Sequence, residues 1–260
     1  NAGHWKETCM KHISIGIIGT GRFASVLRKL FSSDMQFVLK QSSRSKIVDR
    51  KVIFPFEDVV NCDIVFPAVP ISDLPKVLQR CVLVLSKESN PLFVSICSVM
   101  EQPEKWMKKI LPKHVDIVVT HPVFGPQSTK QGTIFSGLPI AWHPVRIRHK
   151  ARIEVLETFL QHRGLNVLRI TPKEHDRIMA RSQAVSFLFG KIGIALKLQS
   201  TMLDTKGFTA ILQNQAIVEN DSHELFLNIF QYNRHTQQIL VKTQHIFTEI
   251  SKEIKRKHHE

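Results

Sequence analysis

The sequence feature that most constrains the fold is a glycine motif that follows directly after an apolar segment. Residues 13–18 (ISIGII) are typical of a buried strand, and residues 25–31 are predicted to form a helix. Between them lie Gly19, Thr20, Gly21, Arg22, Phe23 and Ala24. In this G-x-G-x-x-A pattern the first glycine makes a tight turn, the second lets the backbone approach a pyrophosphate, and the alanine lets the helix pack closely on the strand. The motif predicts a dinucleotide-binding unit; a glycine turn that binds no ligand is the alternative.

The end of the next predicted strand indicates which dinucleotide is bound. Residues 36–41 are strand-like and are followed by Ser42, Ser43, Arg44 and Ser45. In dinucleotide-binding folds an acidic residue at this point binds the 2′-hydroxyl of NAD, whereas an arginine accommodates the 2′-phosphate of NADP. No Asp or Glu occurs among these residues. The sequence therefore favours NADP, with NAD still possible and an ordinary basic turn as the alternative.

Two more predicted strands end in residues assigned to the same edge of the sheet. The core strand over residues 63–69 leads into Val69 and Pro70, which we assign to the cofactor site. Residues 92–96 form another strand, and Ser98 follows it. Because ligands bind outside the carboxyl ends of parallel strands, Ser98 is expected beside the glycine loop.

Residues 115–126 (VDIVVTHPVFGP) place a histidine at the end of a further buried strand. His121 is predicted in the loop that follows the strand, where Pro122 and Pro126 restrict the backbone and Gly125 allows a sharp turn. We expect the imidazole to be held rigidly at the mouth of a site. The alternative is a strand end with an incidental histidine.

The order of predicted elements divides the chain into two domains. Strands and helices alternate up to residue 171, which is typical of a doubly wound, Rossmann-like α/β sheet. Beyond it the pattern is helical, with predicted helices over residues 173–198, 209–218 and 223–254. We predict a dinucleotide-binding domain over residues 10–171 and a smaller all-α substrate and dimerisation domain over residues 172–260. Residues 1–9 precede Met10, which resembles a natural start, and are left out of the predicted fold.

Composition and charge narrow the classes of partner. The chain is 43% apolar, without an apolar run that could span a bilayer, so no membrane association is predicted. Its formal net charge is +14, but the basic residues are scattered and show no aromatic-interleaved stripe, so a nucleic-acid partner is not predicted. A positive field also attracts small anions. We therefore expect an anionic small-molecule substrate.

The cysteines indicate the redox state of the compartment in which the protein is found. Cys9, Cys62, Cys81 and Cys97 lack metal-ligand spacing, so no metal site is predicted, and free thiols are typical of a reducing compartment. No segment has the pattern of a secretory signal. We expect a cytoplasmic protein.

The helical part of the chain is predicted to form a homodimer. Its apolar residues, such as Leu225, Ile239 and Ile250, follow one long amphipathic face. A domain this small and elongated buries such a face more easily against a second copy.

With these motifs in place, the chain resembles the prephenate/arogenate dehydrogenase family, and most closely its plant arogenate dehydrogenase type. The resemblance runs through most of residues 13–250 in a shared order. Its motifs are GTGRFA, SSRS, SICSV, THPVFGPQS, GLP, EHDRIMARSQ, TKGF and NDSHELFLNIFQYN. It implies oxidative decarboxylation of arogenate to tyrosine, or of prephenate to 4-hydroxyphenylpyruvate, with NADP or NAD as the hydride acceptor.

The resemblance also implies roles for individual residues. His121 matches the family's catalytic histidine, a group suited to accept the proton of the substrate's 4-hydroxyl, and Ser98 matches a serine near that hydroxyl and the nicotinamide. The substrate pocket is implied to include Gln127, Ser128, Ser182 and Gln183.

The chain departs from the family pattern at several positions, one of which is Met100 in place of a commonly found lysine. Phe187 stands where plant-type members have a histidine, and Gln213 lies near the place of an arginine that binds a substrate carboxylate in prephenate-type members. Lys206 or Arg181 is the candidate substitute for that arginine. The plant-like motifs and the missing arginine favour arogenate. A reductase of the 3-hydroxyacid or pyrroline-carboxylate type and a non-catalytic NADP-binding regulatory protein are the alternatives.

Overall fold

The computed structural model describes residues 12–32, 34–45, 51–125 and 135–257. The chain divides into two compact units, Asn1–Thr171 and Pro172–Glu260.

The described strands of the first unit are β1 Ile13–Ile18, β2 Phe37–Ser42, β3 Ile64–Pro67, β4 Leu92–Ser95, β5 Asp116–Pro122, β6 Pro139–Arg146 and β7 Asn166–Arg169. They form one sheet with the strand order β2-β1-β3-β4-β5-β6-β7. The strands β1 to β5 are parallel to one another, β6 runs antiparallel to β5, and β7 is parallel to β6. The order reverses between β2 and β3 around β1, which is the switch point where such sheets bind ligands.

Helices connect these strands and cover the sheet. They are α1 Arg22–Phe31, α2 Phe56–Val60, α3 Leu74–Val84, α4 Glu101–Ile110 and α5 Lys150–His162, with a 3₁₀ turn at Ile71–Asp73. The predicted Rossmann-like class is confirmed. The direction of β6 was not predicted, because the apolar pattern of a strand is the same in both orientations.

An aromatic cluster packs α1 and α5 onto the sheet. The ring of Phe31 lies 5.1 Å from that of Phe159 and 5.2 Å from that of Phe37, and the Phe37 and Phe159 rings are 4.7 Å apart. Phe66 of β3 contacts the same Phe31 ring at 5.5 Å. Aromatic pairs at these distances stabilise a core beyond their buried area. The cluster thus fixes both helices against the switch-point strands.

The second unit is helical, as predicted. Its helices are α6 Pro172–Arg181, α7 Gln183–Ala195, α8 Lys206–Glu219, α9 His223–Tyr232 and α10 Thr236–Lys257. Within the described part of the chain, no helix is both long and apolar enough to cross a membrane.

Two helices predicted as continuous are broken by polar side chains. At Ser182 the hydroxyl donates to the carbonyl of Ile178 at 2.9 Å, a back-bond that bends helices, and α7 starts at the next residue. At Asn233 the amide oxygen accepts from the N–H of His235 at 3.0 Å, and the amide nitrogen donates to the carbonyl of Asp176 at 2.8 Å. These bonds replace the helical ladder, and so α9 and α10 are separate helices.

Glycines on α7 allow a close approach to α8. A Cβ added at Gly190 would lie 2.5 Å from the Val218 side chain, and one added at Gly193 would lie 2.8 Å from the Gln215 amide oxygen. Contacts this short force something to move.

Gly190→Ala is expected to lower the free energy of unfolding by about 1–3 kcal/mol, because the new methyl group overlaps a buried branched side chain that has little room to move. Urea unfolding followed by far-UV circular dichroism measures the change.

Gly193→Ala is the matched control on the same helix. The new methyl group there meets the far end of a flexible glutamine, which is able to rotate away, so the loss is expected to be smaller. Equal losses in the two variants would contradict the packing argument.

Candidate active site

The parallel strands bring residues distant in sequence to one edge of the sheet. Ile18 at the end of β1 pairs with Ser42 of β2 and with Pro67 of β3, so these strands end level with one another. The segments that follow them therefore meet at the carboxyl edge, where open α/β sheets bind ligands.

Gly19 is fixed by the neighbouring strands on both sides. Its N–H donates to the Ser42 carbonyl at 2.9 Å, and its carbonyl accepts from the Gln41 side chain at 2.7 Å. Its φ is +112°, and an added Cβ would lie 2.5 Å from the Ala68 carbonyl oxygen. Any larger residue would have both the wrong backbone geometry and no space. The turn after β1 is therefore held in one shape.

Gly21 is different, because no part of the chain that the structure describes requires a glycine there. Its φ is an ordinary −70°, and an added Cβ would meet no atom of the described residues within 4 Å. It is the N-cap of α1, which begins at Arg22, earlier than predicted, and has no side-chain cap. An uncapped helix N-terminus beside open space suits an anion such as a pyrophosphate.

The first turn of α1 packs inward. Ala24 is buried, and the Phe23 ring lies 6.0 Å from the ring of Phe124, which follows β5. The glycine loop is thus linked to the segment after His121.

Polar side chains form a chain of contacts at the end of β2. The hydroxyl oxygens of Thr20 and Ser43 are 3.4 Å apart, as are those of Ser43 and Ser45, and the Ser45 N–H donates to the Ser43 hydroxyl at 3.2 Å. Ser42 is buried, whereas Arg44 and Ser45 are exposed. The end of β2 therefore presents hydroxyls and a guanidinium directly beside the glycine loop.

The segment after β3 reaches the same place. Val69 is half-buried and Pro70 is exposed. Three residues further on, the Asp73 carboxylate contacts the Arg44 guanidinium at 3.4 Å. Sequence reasoning missed Asp73, although an acid just after the residues assigned to the cofactor was a usable signal.

His121 lies inside β5, so its predicted position in a loop was wrong. The strand continues through Pro122 because His121 pairs with Ala141 and Pro122 with Ile140 on the antiparallel strand β6. The histidine is only 3% exposed. The imidazole is therefore held by a strand between two neighbours.

Ser98 follows β4, the strand beside β5. It is half-buried, and the preceding Cys97 is buried, which raises the pKa of that thiol to about 11. The Thr120 hydroxyl donates to the Ser95 carbonyl at 2.6 Å, which ties the end of β4 to β5 one residue before His121. Ser98 thus lies just after β4, and His121 lies near the end of the adjacent strand β5.

The remaining predicted substrate residues lie in the helical unit or outside the described part of the chain. Ser182 and Lys206 are exposed, and the buried side-chain oxygen of Gln183 has no hydrogen-bond partner among the described residues. Gln127 and Ser128 lie outside the described residues.

Phe187 belongs to the core of the helical unit. It is 6% exposed and packs in one cluster with Ala184, Val218 and Ile229. Where plant-type members are expected to carry a histidine, this chain therefore has an apolar side chain that stabilises the helices.

Two family models match the chain. The model described as the prephenate dehydrogenase nucleotide-binding domain matches residues 30–169, and the model described as the TYRAAT1-like C-terminal domain matches residues 193–260.

Among curated proteins, two similar relatives are from Arabidopsis thaliana. Arogenate dehydrogenase 1, chloroplastic, is 28% identical over 253 residues, which is 93% of this chain and 39% of that protein. Arogenate dehydrogenase 2, chloroplastic, is 34% identical over 196 residues, which is 69% of this chain and 54% of that protein. The chain thus spans about two fifths and about half of the length of these relatives.

Among solved structures, prephenate dehydrogenase from A. aeolicus, in complex with hydroxyphenyl propionate and NAD⁺, has the same fold. Its TM-score is 0.70 at 14% identity, with 97% of this chain and 94% of that chain covered. The nucleotide-binding-domain model covers more than half of the sequence, and the chain therefore belongs to the prephenate dehydrogenase family.

Proposed function

We propose that this chain catalyses the NADP-dependent oxidative decarboxylation of arogenate to tyrosine, a step of aromatic amino acid biosynthesis. The observation that carries the proposal is the buried His121 near the carboxyl end of β5, which is separated by β3 and β4 from β1, the strand that leads into the glycine loop. The named activities of the two plant relatives support the choice of arogenate.

The glycine loop fits the pyrophosphate of a dinucleotide. Gly21 leaves space that the fold does not need, and the N-terminus of α1 has no side-chain cap. We assign the pyrophosphate to residues 19–24 and the nicotinamide side to Val69 and Pro70. When bound, the nicotinamide supplies the hydride acceptor.

The end of β2 supports NADP over NAD. Ser43, Arg44 and Ser45 offer hydroxyl and guanidinium donors, and Thr20 extends this set from the glycine loop. A 2′-phosphate is a strong acceptor for such groups. The A. aeolicus structure contains NAD⁺, and NAD stays a possible second cofactor for this chain.

In the proposed reaction His121 removes a proton while the substrate loses hydride. The hydride leaves the ring carbon that bears the 4-hydroxyl, the imidazole of His121 accepts the hydroxyl proton, and the departure of carbon dioxide makes the ring aromatic. Ser98, which follows the adjacent strand β4, orients the hydroxyl. Burial of His121 keeps bulk water from this proton transfer.

The helical unit supplies most of the proposed substrate contacts. Ser182, Gln183 and Lys206 are assigned to substrate binding, as are Gln127 and Ser128 outside this unit, and Lys206 or Arg181 is assigned to the substrate carboxylate. The buried oxygen of Gln183, which has no hydrogen-bond partner among the described residues, favours a ligand that donates a hydrogen bond. Arogenate carries an amino group that prephenate lacks, and so this oxygen favours arogenate.

The same unit is proposed to form a homodimer. One described face of α10 leaves Ile246, Phe247, Ile250 and Ile254 between 47% and 55% exposed. Apolar residues repeated along one exposed helix are typical of an interface, and a second copy offers a matching surface.

A reducing compartment, such as the cytoplasm, is proposed as the place of action. Cys62, Cys81 and Cys97 are free and buried, and burial raises the pKa of the first to about 11 and of the second to about 12. The plant relatives are named as chloroplastic, so an organelle with reduced thiols suits the chain equally.

The activity is tested by following nicotinamide reduction with arogenate and with prephenate, each with NADP⁺ and NAD⁺. We expect turnover with arogenate and NADP⁺. Turnover with prephenate alone would assign the chain to the prephenate branch of the family. Binding of NADPH without turnover of either substrate would indicate a regulatory protein.

His121→Asn is expected to reduce turnover by about a hundredfold or more, the scale of a lost general base, while NADPH affinity stays the same. Steady-state rates and a fluorescence titration with NADPH measure the two effects.

His143→Asn is the control, because His143 lies on β6 opposite Val119 and has no proposed role. Unchanged turnover in His121→Asn, or an equal loss in the control, would remove His121 from the mechanism.

Arg44→Ala is expected to weaken NADPH binding roughly tenfold to a hundredfold, the scale of charged hydrogen bonds, with little effect on NADH. Titrations with both dinucleotides give the two dissociation constants.

Arg80→Ala removes the same charge from α3 and serves as the control. An equal loss of affinity for NADPH and NADH in Arg44→Ala would show that Arg44 does not read the 2′-position.

A further inference from the structure

Asp73 is a charged residue that the proposed reaction does not use. It ends the 3₁₀ turn Ile71–Asp73 that follows β3, and its Oδ2 lies 3.4 Å from an Arg44 terminal nitrogen. The residue proposed to bind the 2′-phosphate thus already holds an acidic counter-ion from another segment.

The contact between Arg44 and Asp73 joins two of three segments that meet at the carboxyl edge of the sheet. The glycine loop contacts the end of β2 through Thr20 and Ser43, and Gly19 packs against the Ala68 carbonyl after β3. Arg44 and Asp73 join the second and third of these segments directly. In dinucleotide-binding sheets the ribose of the adenosine half lies at this place, beside the end of the second strand.

Asp73 is the sole acidic residue in these segments. Residues 19–24 read GTGRFA, residues 42–45 read SSRS, and residues 68–73 read AVPISD. The carboxylate that NAD-binding folds carry at the end of the second strand is absent there, and the segment after β3 supplies one instead.

The ion pair between Arg44 and Asp73 is weak enough for a ligand to displace it. The Arg44 side chain is 81% exposed and that of Asp73 32% exposed, and one oxygen makes the contact. Exposed pairs of this kind contribute little in water. A phosphate with two negative charges and several acceptor oxygens is the stronger partner for a guanidinium.

We propose that Asp73 determines the cofactor preference of this chain, an inference that rests on the proposed dinucleotide-binding function. With NADH bound, Asp73 accepts a hydrogen bond from the ribose 2′-hydroxyl and keeps Arg44 paired. With NADPH bound, the 2′-phosphate takes Arg44 from Asp73 and lies close to the released carboxylate, which repels it. Asp73 therefore limits affinity for NADPH and supports affinity for NADH.

Asp73→Asn tests this assignment in the full chain, by fluorescence titration with NADPH and with NADH. The amide has the shape of the carboxylate without its charge. NADPH is expected to bind about two- to tenfold more tightly, and NADH about two- to fivefold more weakly, the scale of exposed charge interactions and of a charge-assisted hydrogen bond. Opposite shifts are required, since a purely structural role would move both constants in the same direction.

Glu57→Gln removes one negative charge from α2 of the same unit and controls for the change in overall field. Equal shifts in Asp73→Asn and in this control, shifts of one sign for both dinucleotides, or no shift would overturn the assignment of Asp73.

Failure of this inference is distinguishable from failure of the proposed function. If Arg44→Ala weakens NADPH binding while Asp73→Asn does not separate the two dinucleotides, Asp73 alone is misassigned. If neither dinucleotide binds the unaltered chain, the proposed function itself is wrong and the inference falls with it.

Discussion

The close backbone contact between Gly19 and the Ala68 carbonyl is the constraint on which the carboxyl edge depends. It brings the turn after β1 against the exit of β3, so that neither side chain nor loop intervenes at the switch point. The N–H of Gly19 is bonded to β2 at the same time. A residue without a Cβ is thus held between β2 and the segment after β3, and the open space at Gly21 lies two residues further along the chain.

The sequence predicted the elements of the first unit because most strands there contain a short apolar run bounded by glycine, proline or polar residues. It did not predict what depends on pairing between distant residues. His121 was expected in a loop because Pro122 normally ends a strand, yet pairing with β6 carries β5 through both. Asp73 was missed for the same reason, since its contact with Arg44 joins positions 29 residues apart.

In the helical unit, periodicity predicted the helices but not their ends. The breaks at Ser182 and Asn233 involve one and two side-chain hydrogen bonds, respectively, which apolar spacing does not record. Phe187 shows a related limit. Its replacement of a histidine expected from the resemblance reads in sequence as a loss of chemistry, whereas in the fold it completes a core with Val218 and Ile229. Once the neighbours of Phe187 are known, its contribution to packing can be told apart from the loss of the histidine's chemistry.

The two halves of the candidate site differ in how firmly the sheet holds them. All residues of β5 are buried, and the strand lies between β4 and β6, so exchange of its amide hydrogens with solvent requires opening of the whole unit. Arg44, in contrast, is exposed and Asp73 is half-buried, and both lie on connecting segments outside the strands. Mutations of Arg44 or Asp73 leave the packing of the core unchanged. The dinucleotide preference of such a chain can therefore change during evolution without a loss of stability. The position of His121, in contrast, cannot change without disturbing the fold.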